Sequence, residues 1–415
     1  MGLNIVPFFK WSFILCTSCV IIYIRIIGGM DMGNRIILNG TSYFGRGSRT
    51  DLIHELRGRN FSKALVVTDK SLMEAHVTSL VTEVLERDKF EFEIYSDIKP
   101  NPTTVNVQEG VNFCRNSGAD VLIAVGGGSA IDTCKAISII MTNPEHFDVV
   151  SLDGAVETRN PGMPIIALPT TAGTAAEVTI NYVITNPVGP KKMVCVDPHD
   201  IPIVAIIDQD LMEKMPKSLA AATGMDALTH AMEGYITKAA WLMTDIFHLN
   251  AMALIYKNLD KAVNEKDKTA IDNIGYGQYI AGMGFSNVGL GIVHSMAHSL
   301  GAYYDTPHGL ANALLLPHVL RFNGKVCPDL FRNMGRAMGI DMNNLNDDEA
   351  VNKVCAAVRD LSIRVGIPQT LAEIGIKEED LPMLAKQAIN DVCTAGNPRH
   401  VEEKDILALY KEAYK

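Results

Sequence analysis

From Arg35 onward, short unbroken apolar runs alternate with longer stretches in which apolar positions recur every three or four residues. Ala64 to Thr68, Val121 to Val125 and Ile165 to Pro169 have the length and apolar content of strands buried on both faces. Phe90 to Tyr95 reads as another strand, and Arg35-Ile-Ile-Leu38 as the first. Met73 to Arg87 and Val105 to Asn116 carry helical periodicity, and Pro100-Asn101-Pro102-Thr103 reads as a turn. Strands and helices in alternation predict an α/β domain with a doubly wound, mostly parallel, Rossmann-like sheet, whose ligands bind at the carboxyl ends of the strands.

After Pro216 strand signals become rare. The apolar-periodic segments Leu219 to Ile236, Ala240 to Leu259, Asp272 to Phe285, Gly289 to Ala302, His308 to Leu316 and Glu349 to Val365 predict an all-α C-terminal domain. The expected division is therefore residues 32–215 for the α/β domain, 216–415 for the helical domain and 1–31 for an N-terminal extension outside both. Phe13 to Ile24 in that extension is mostly apolar, yet shorter than the roughly 20 residues that span a bilayer. It also lacks a small-x-small cleavage site. We expect translated upstream sequence here, with the native start at Met30 or Met32.

Composition narrows the function classes. The 415 residues suggest two domains, and a net charge of −10 with no basic patch argues against nucleic acid or an anionic membrane as partner. Of the eight cysteines, six are scattered singly, which fits free thiols in a reducing cytoplasm. Cys16 and Cys19 form a C-x-x-C pair with no second pair or nearby His to complete a zinc site.

Candidate chemistry falls into two groups. At the end of the Val121 run, Gly126-Gly127-Gly128-Ser129 opens a helix; its glycines admit close backbone approach, and the helix start offers unpaired N–H groups to a pyrophosphate. Asp69, just past a strand end, has the position of a carboxylate that binds ribose hydroxyls and repels a 2′-phosphate, which favours NAD. Thr170, Thr171 and Thr174 make a hydroxyl-rich turn that suits a nucleotide or a helix cap. The second group is Asp226 with His230, His294 with His298, and His308. Residues four apart share a helix face, so one carboxylate and two or three imidazoles converge as ligands for a divalent first-row metal.

These residues carry a resemblance. Gly291 to Gly309 is similar to the signature of the iron-containing, group III alcohol dehydrogenases, G-x-x-H-x-x-A-H-x-x-G-x(5)-P-H-G, filled at every fixed position. Gly126 to Ser129 with Asp132 and Lys135, Pro169 to Thr174 with Glu177, and Asp226 with His230 extend the likeness from about Asn34 to the end. By position, the resemblance implies that Asp226, His230, His294 and His308 ligate Fe²⁺, Zn²⁺ being chemically admissible, while His298 stands beside the metal and moves a proton. It implies an NAD cleft lined by Asp69, Asn101, Gly127, Gly128, Ser129, Thr170, Thr171, Thr174, Asn181, Lys192 and Leu211. Val183, Val194, Phe285 and Cys393 would shape a small substrate pocket. Ser299 departs from the family pattern, since many members carry Pro there.

The implied activity is NADH-linked interconversion of lactaldehyde and 1,2-propanediol, with other short aldehydes and diols accepted, in a cytoplasmic homodimer. A short-chain alcohol or 1,3-propanediol dehydrogenase is the alternative within the family. A metal-dependent hydrolase or lyase, or a membrane-tethered binding protein, are the rivals outside it.

Overall fold

Apolar strand residues that alternate between two helical layers build the first half of the chain. The computed structural model describes residues 33–189 and 191–415, so the readings made on residues 1–31 lie outside the described residues. Six strands form a parallel sheet: β1 (Thr41–Phe44), β2 (Lys63–Val67), β3 (Glu91–Tyr95), β4 (Val121–Gly126), β6 (Ile165–Pro169) and β9 (Val204–Ile207), in the order β1-β9-β6-β4-β2-β3. Ala64, Val66, Ile123, Ile166 and Val204 face a layer that contains α1 (Leu52–Gly58) and α3 (Ser79–Arg87), with α2 (Lys70–Glu74) just before it. Leu65, Val67, Leu122, Ala124 and Ala167 face α4 (Thr104–Ser117) and α5 (Gly128–Thr142). Both faces are covered, which is why these strands read as continuous apolar runs.

The order of connection places the site. From β2 the chain crosses to β3, whereas from β4 it crosses to β6 on the other side, so β2 and β4 are neighbours whose connections diverge. A crevice opens at the carboxyl ends of such a pair, and it is the usual seat of a nucleotide. A three-stranded sheet of β5 (Gly154–Ala155), β7 (Asn181–Asn186) and β8 (Lys191–Val196) adds an antiparallel β7/β8 pair with Val183 opposite Val194 and Thr185 opposite Lys192.

From Lys217 the structure is helical: α6 (Lys217–Ile236), α7 (Leu242–Asn264), α8 (Lys268–Val288), α9 (Ile292–Tyr304), α10 (His308–Gly324), α11 (Pro328–Met338), α12 (Asp347–Arg364), α13 (Leu381–Ala388) and α14 (Glu403–Tyr414). They share one core that reaches back to Ala205, Ile207 and Met212 beside the sheet, and Arg35–Lys415 forms one compact unit. Among the described residues no helix is long and apolar enough to cross a membrane.

Two local expectations need correction. Arg35 to Leu38 is not a strand; the Ile37 N–H donates to Asn287 Oδ1 at 2.8 Å and its carbonyl accepts from Asn287 Nδ2 at 3.2 Å. A helix side chain thus satisfies this backbone, and the first strand begins at Thr41. The expected helix from Met73 to Arg87 is two helices, because His76 takes a left-handed conformation (φ 53°) between α2 and α3. Neither Gly nor Pro marks that break.

Candidate active site and metal centre

Four side chains from three helices meet at one point. Asp226 and His230 project from the middle of α6, His294 from the first turn of α9, and His308 from the first position of α10. Their donor atoms all lie within 4.8 Å of one another. The ring centroids are 4.6 Å apart for His230 and His294 and 5.2 Å for His294 and His308. Close approach of α10 to α6 depends on Gly309: a Cβ there would stand 2.5 Å from the Ala222 carbonyl oxygen.

The electrostatics favour a cation. Burial pushes the His308 imidazole down to about 4 against the pull of Asp226, and burial followed by the neighbouring imidazoles drives His294 well below its ordinary value. Burial lowers His230 as well. All three rings are therefore neutral with lone pairs to offer at pH 7. The Asn312 amide nitrogen reports where those lone pairs point: it lies 2.6 Å from Asp226 Oδ1 and 3.1 Å from both His294 Nε2 and His308 Nε2. Three acceptors aimed at one donor, with one carboxylate among them, fit a divalent first-row ion.

Glu233 completes this arrangement. Its Oε2 is 2.6 Å from His294 Nδ1, while its two oxygens accept the Val293 and His294 backbone N–H groups at 2.8 and 3.3 Å. Burial pushes the Glu233 carboxyl up to about 8, opposed by those backbone donors. Once ionised, this carboxylate would accept the Nδ1–H and leave Nε2 turned inward as an acceptor.

The nucleotide side lies at the β2/β4 crevice. Gly127 is extended and Gly128 starts α5 without a side-chain cap, so the first N–H groups of that helix face outward. Gly128 is needed for close packing: a Cβ there would sit 2.9 Å from the Thr174 methyl group. Thr171 packs on Gly127 in the same way, and the buried Thr170 donates its N–H to the Gly126 carbonyl at 3.0 Å. Asp69 caps α2, accepting Leu72 N–H at 2.9 Å and the Ser71 hydroxyl, both on Oδ1.

Between nucleotide turn and imidazole cluster runs one cavity of about 470 Å³, within the range of small-molecule sites. It brings together Asn101, Gly128, Ser129, Thr174, Asn181, Val183, Lys192, Val194, Phe285, Cys393, His230, His294, His298 and His308. Asp69, Gly127, Thr170, Thr171 and Leu211 are not on its wall. Leu211 is buried in the sheet core. Asp226 sits behind the imidazoles, 1% exposed.

One face of β7/β8 forms a wall, with Val183 and Val194 cross-strand neighbours and Lys192 donating to Asn101 Oδ1 at 2.6 Å and Thr185 Oγ1 at 2.9 Å. Burial lowers the Lys192 ammonium to about 8, with Asp305 and Asp132 resisting. Asp132 Oδ2 accepts the Val183 N–H at 3.0 Å, and the Lys135 ammonium donates to the Thr179 and Asn181 carbonyls. The Asp132 and Lys135 of the sequence motif thus anchor the hairpin to α5. Phe285, also on the cavity wall, stacks on His230 with centroids 4.2 Å apart.

His298 stands apart from the four-donor set. Its Nδ1 lies 2.9 Å from Asp391 Oδ2 and its ring stacks on His308 at 5.4 Å. Ser299 leaves α9 continuous from Ile292 to Tyr304, its hydroxyl donating to the Ser295 carbonyl at 3.3 Å.

Glu233, Asn312 and Asp391 escaped the sequence reading. Glu233 follows His230 by three residues and Asn312 follows His308 by four, so helical spacing was a usable signal for both. Asp391 meets His298 across 93 residues of sequence, and no local pattern points to it.

Residues 39–209 match the family model "Iron-containing alcohol dehydrogenase", and residues 220–414 match "Fe-containing alcohol dehydrogenase family, C-terminal". The chain is 53% identical over 383 residues to lactaldehyde reductase of Escherichia coli K12, a match covering 92% of this chain and 100% of the relative. It is 41% identical to 1,3-propanediol dehydrogenase of Klebsiella pneumoniae over 85% of this chain and 91% of that one. Among solved structures, a 1,3-propanediol oxidoreductase superposes with a TM-score of 0.89 at 39% identity, covering 92% of this chain and 100% of that one. An alcohol dehydrogenase from Oenococcus oeni gives the same TM-score at 36% identity, covering 92% and 100%. Family membership implies NAD(H) and a divalent metal, which agrees with the donor set and the crevice described above. The chain belongs to the iron-containing alcohol dehydrogenases.

Proposed function

We propose that this oxidoreductase interconverts lactaldehyde and 1,2-propanediol with NADH and NAD⁺, and that it accepts other short aldehydes and alcohols. One observation carries the reading: the donor set of Asp226, His230, His294 and His308 presents its three imidazoles to the same cavity as the Gly128–Ser129 turn. The likeness to a lactaldehyde reductase over the whole length of that relative supports the substrate.

In this reading residues 32–215 hold the dinucleotide and residues 216–415 the metal. The α5 N-terminus and Thr174 receive the pyrophosphate. Asp69, whose Oδ1 caps α2, would have Oδ2 left to hold a ribose hydroxyl. Thr171 packs on Gly127 behind that turn, Thr170 donates its N–H to the Gly126 carbonyl, and Leu211 lies in the core of the sheet. Lys192, Asn101 and Asn181 line the path towards the imidazoles.

Bound NADH supplies the hydride, and a divalent ion supplies Lewis-acid stabilisation of the charge that develops on the carbonyl oxygen. Val183, Val194, Phe285 and Cys393 enclose the short aliphatic part of the substrate and keep water from the carbonyl. His298, held through Nδ1 by Asp391, has Nε2 available to deliver a proton to the product oxygen. We assign Fe²⁺ as the native ion, with Zn²⁺ compatible with the same donors. We place the enzyme in the cytoplasm as a homodimer.

The test is NADH oxidation by anaerobically prepared, Fe²⁺-loaded enzyme across lactaldehyde, acetaldehyde and 3-hydroxypropanal. Turnover with lactaldehyde at the highest kcat/KM is expected. Preference for 3-hydroxypropanal would move the assignment to a 1,3-propanediol dehydrogenase, and no NADH turnover with any aldehyde would reject the reading.

A further inference from the structure

A second group of side chains able to ligate a metal reaches the same cavity beside the imidazole cluster, where His298 stacks on His308. His298 comes from α9; Asp391 and Cys393 come from the short turn Val392–Gly396 and the residue that caps it. One nitrogen, one carboxylate oxygen and one sulfur from these residues all lie within 4.8 Å of one another. His298 and Cys393 both line the cavity. We propose that His298, Asp391 and Cys393 form an inhibitory site for a thiophilic divalent cation such as Zn²⁺ or Cd²⁺, separate from the Asp226 set.

Three features support it. The donors are an imidazole, a carboxylate and a thiol, a softer set than the one oxygen and three nitrogens of the Asp226 group, so a thiophilic ion prefers it and Fe²⁺ does not. Zinc bonds of about 2.0–2.3 Å need donor separations of about 3.3–3.7 Å in a tetrahedron. The three donors, all within 4.8 Å of one another, must draw together to that spacing when the ion binds. Charge also balances: Asp391 is already an anion receiving His298 Nδ1 and the Cys393 N–H, each at 2.9 Å. With the Cys393 thiolate it offsets the two positive charges of the ion.

Binding forms one bond from the metal to each of the three donors and breaks the S–H bond, releasing one proton from Cys393 to solvent. Asp391 enters as a carboxylate and loses no proton. The ion would hold the ring that we assign to proton delivery and lie against the substrate pocket. The inhibitory effect rests on the proposed function; the binding itself does not.

The full chain, loaded anaerobically with Fe²⁺, is equilibrated with Zn²⁺, freed of loose metal and analysed for both elements. One Fe and one Zn per chain are expected, falling to one Fe in Cys393→Ser and in Asp391→Asn. Titration of the parent with Cd²⁺ should produce the ultraviolet thiolate-to-cadmium charge-transfer band and release one proton per ion, which keeps the proposal decidable if a variant fails to fold. A total of one ion per chain, Zn²⁺ in place of Fe²⁺, a second ion retained in Cys393→Ser, or no charge-transfer band would overturn it. Loss of NADH turnover on adding Zn²⁺ and its return with a mild chelator, Fe content constant, is the expected functional consequence. An enzyme that binds the second ion yet never oxidises NADH would refute the proposed function and leave the site standing.

Discussion

At the scale of single residues, the imidazole rings matter less than what holds them. Glu233 fixes the His294 tautomer from a fully buried position, so Glu233→Gln keeps the shape but allows the ring to turn its N–H inward. Metal affinity, measured by competition with a chelator, should fall about 10–100-fold. His294→Ala should abolish bound metal, whereas His298→Ala should keep most of it and lose rate; equal loss of metal in both would refute the division between ligand and proton donor.

Lys192 gives a pH dependence. Burial lowers its ammonium to about 8, so it is charged below that pH and loses its proton above it. If it attracts the cofactor phosphates, KM for NADH stays level up to about pH 8 and then rises, by at most roughly tenfold per pH unit. Lys192→Met should show a high, pH-independent KM over that range. That Asp226 shares a helix face with His230, and His294 with His298, was legible because helical spacing is local. Their partners were less so: the bond from His298 to Asp391 depends on a turn almost a hundred residues away, which no periodicity encodes.

At the scale of elements, the β7/β8 hairpin decides the shape of the pocket, and the periodicity of the chain did not reveal it. Asn181, Val183, Lys192 and Val194 point to the cavity while Tyr182, Ile184, Met193 and Cys195 are buried behind them. Its cavity face is mixed in polarity, so the alternation expected of a half-buried strand is blurred. The β2, β4 and β6 strands were legible because both of their faces are apolar. The α2/α3 break was not, since His76 adopts φ 53° with no glycine to announce it.

Lys135 fastens this hairpin to α5 from a fully buried position, 3.4 Å from the equally buried Asp200. Burial pushes the Asp200 carboxyl up to about 8, so Lys135→Met strands polar groups rather than a full charge, and it should cost about 1–3 kcal/mol in denaturant unfolding near pH 7. Adding Asp200→Asn should restore part of that stability but not the placement of the hairpin. Val194→Ala widens the pocket, and kcat/KM should shift towards longer 1,2-diols by about tenfold, consistent with about 1–3 kcal/mol per methylene. An unchanged chain-length profile would remove Val194 from the substrate pocket.

At the scale of the whole molecule, the proposed function needs both halves, because the turn at the sheet's carboxyl edge and the imidazoles from the helices border one cavity. The β2/β4 divergence predicts where a nucleotide lies, and α6, α9 and α10 converge beside it. Metal bound only by the folded chain must stabilise it, by about 2.7 kcal/mol at a free concentration one hundred times Kd. The most direct test is titration of metal-free protein with Fe²⁺ under anaerobic conditions, following bound iron and NADH oxidation by lactaldehyde together. The account predicts that activity rises in proportion to bound iron and stops rising at one ion per chain, with neither signal in Asp226→Ala. Full activity in the metal-free protein, or undiminished iron binding and turnover in Asp226→Ala, would contradict it.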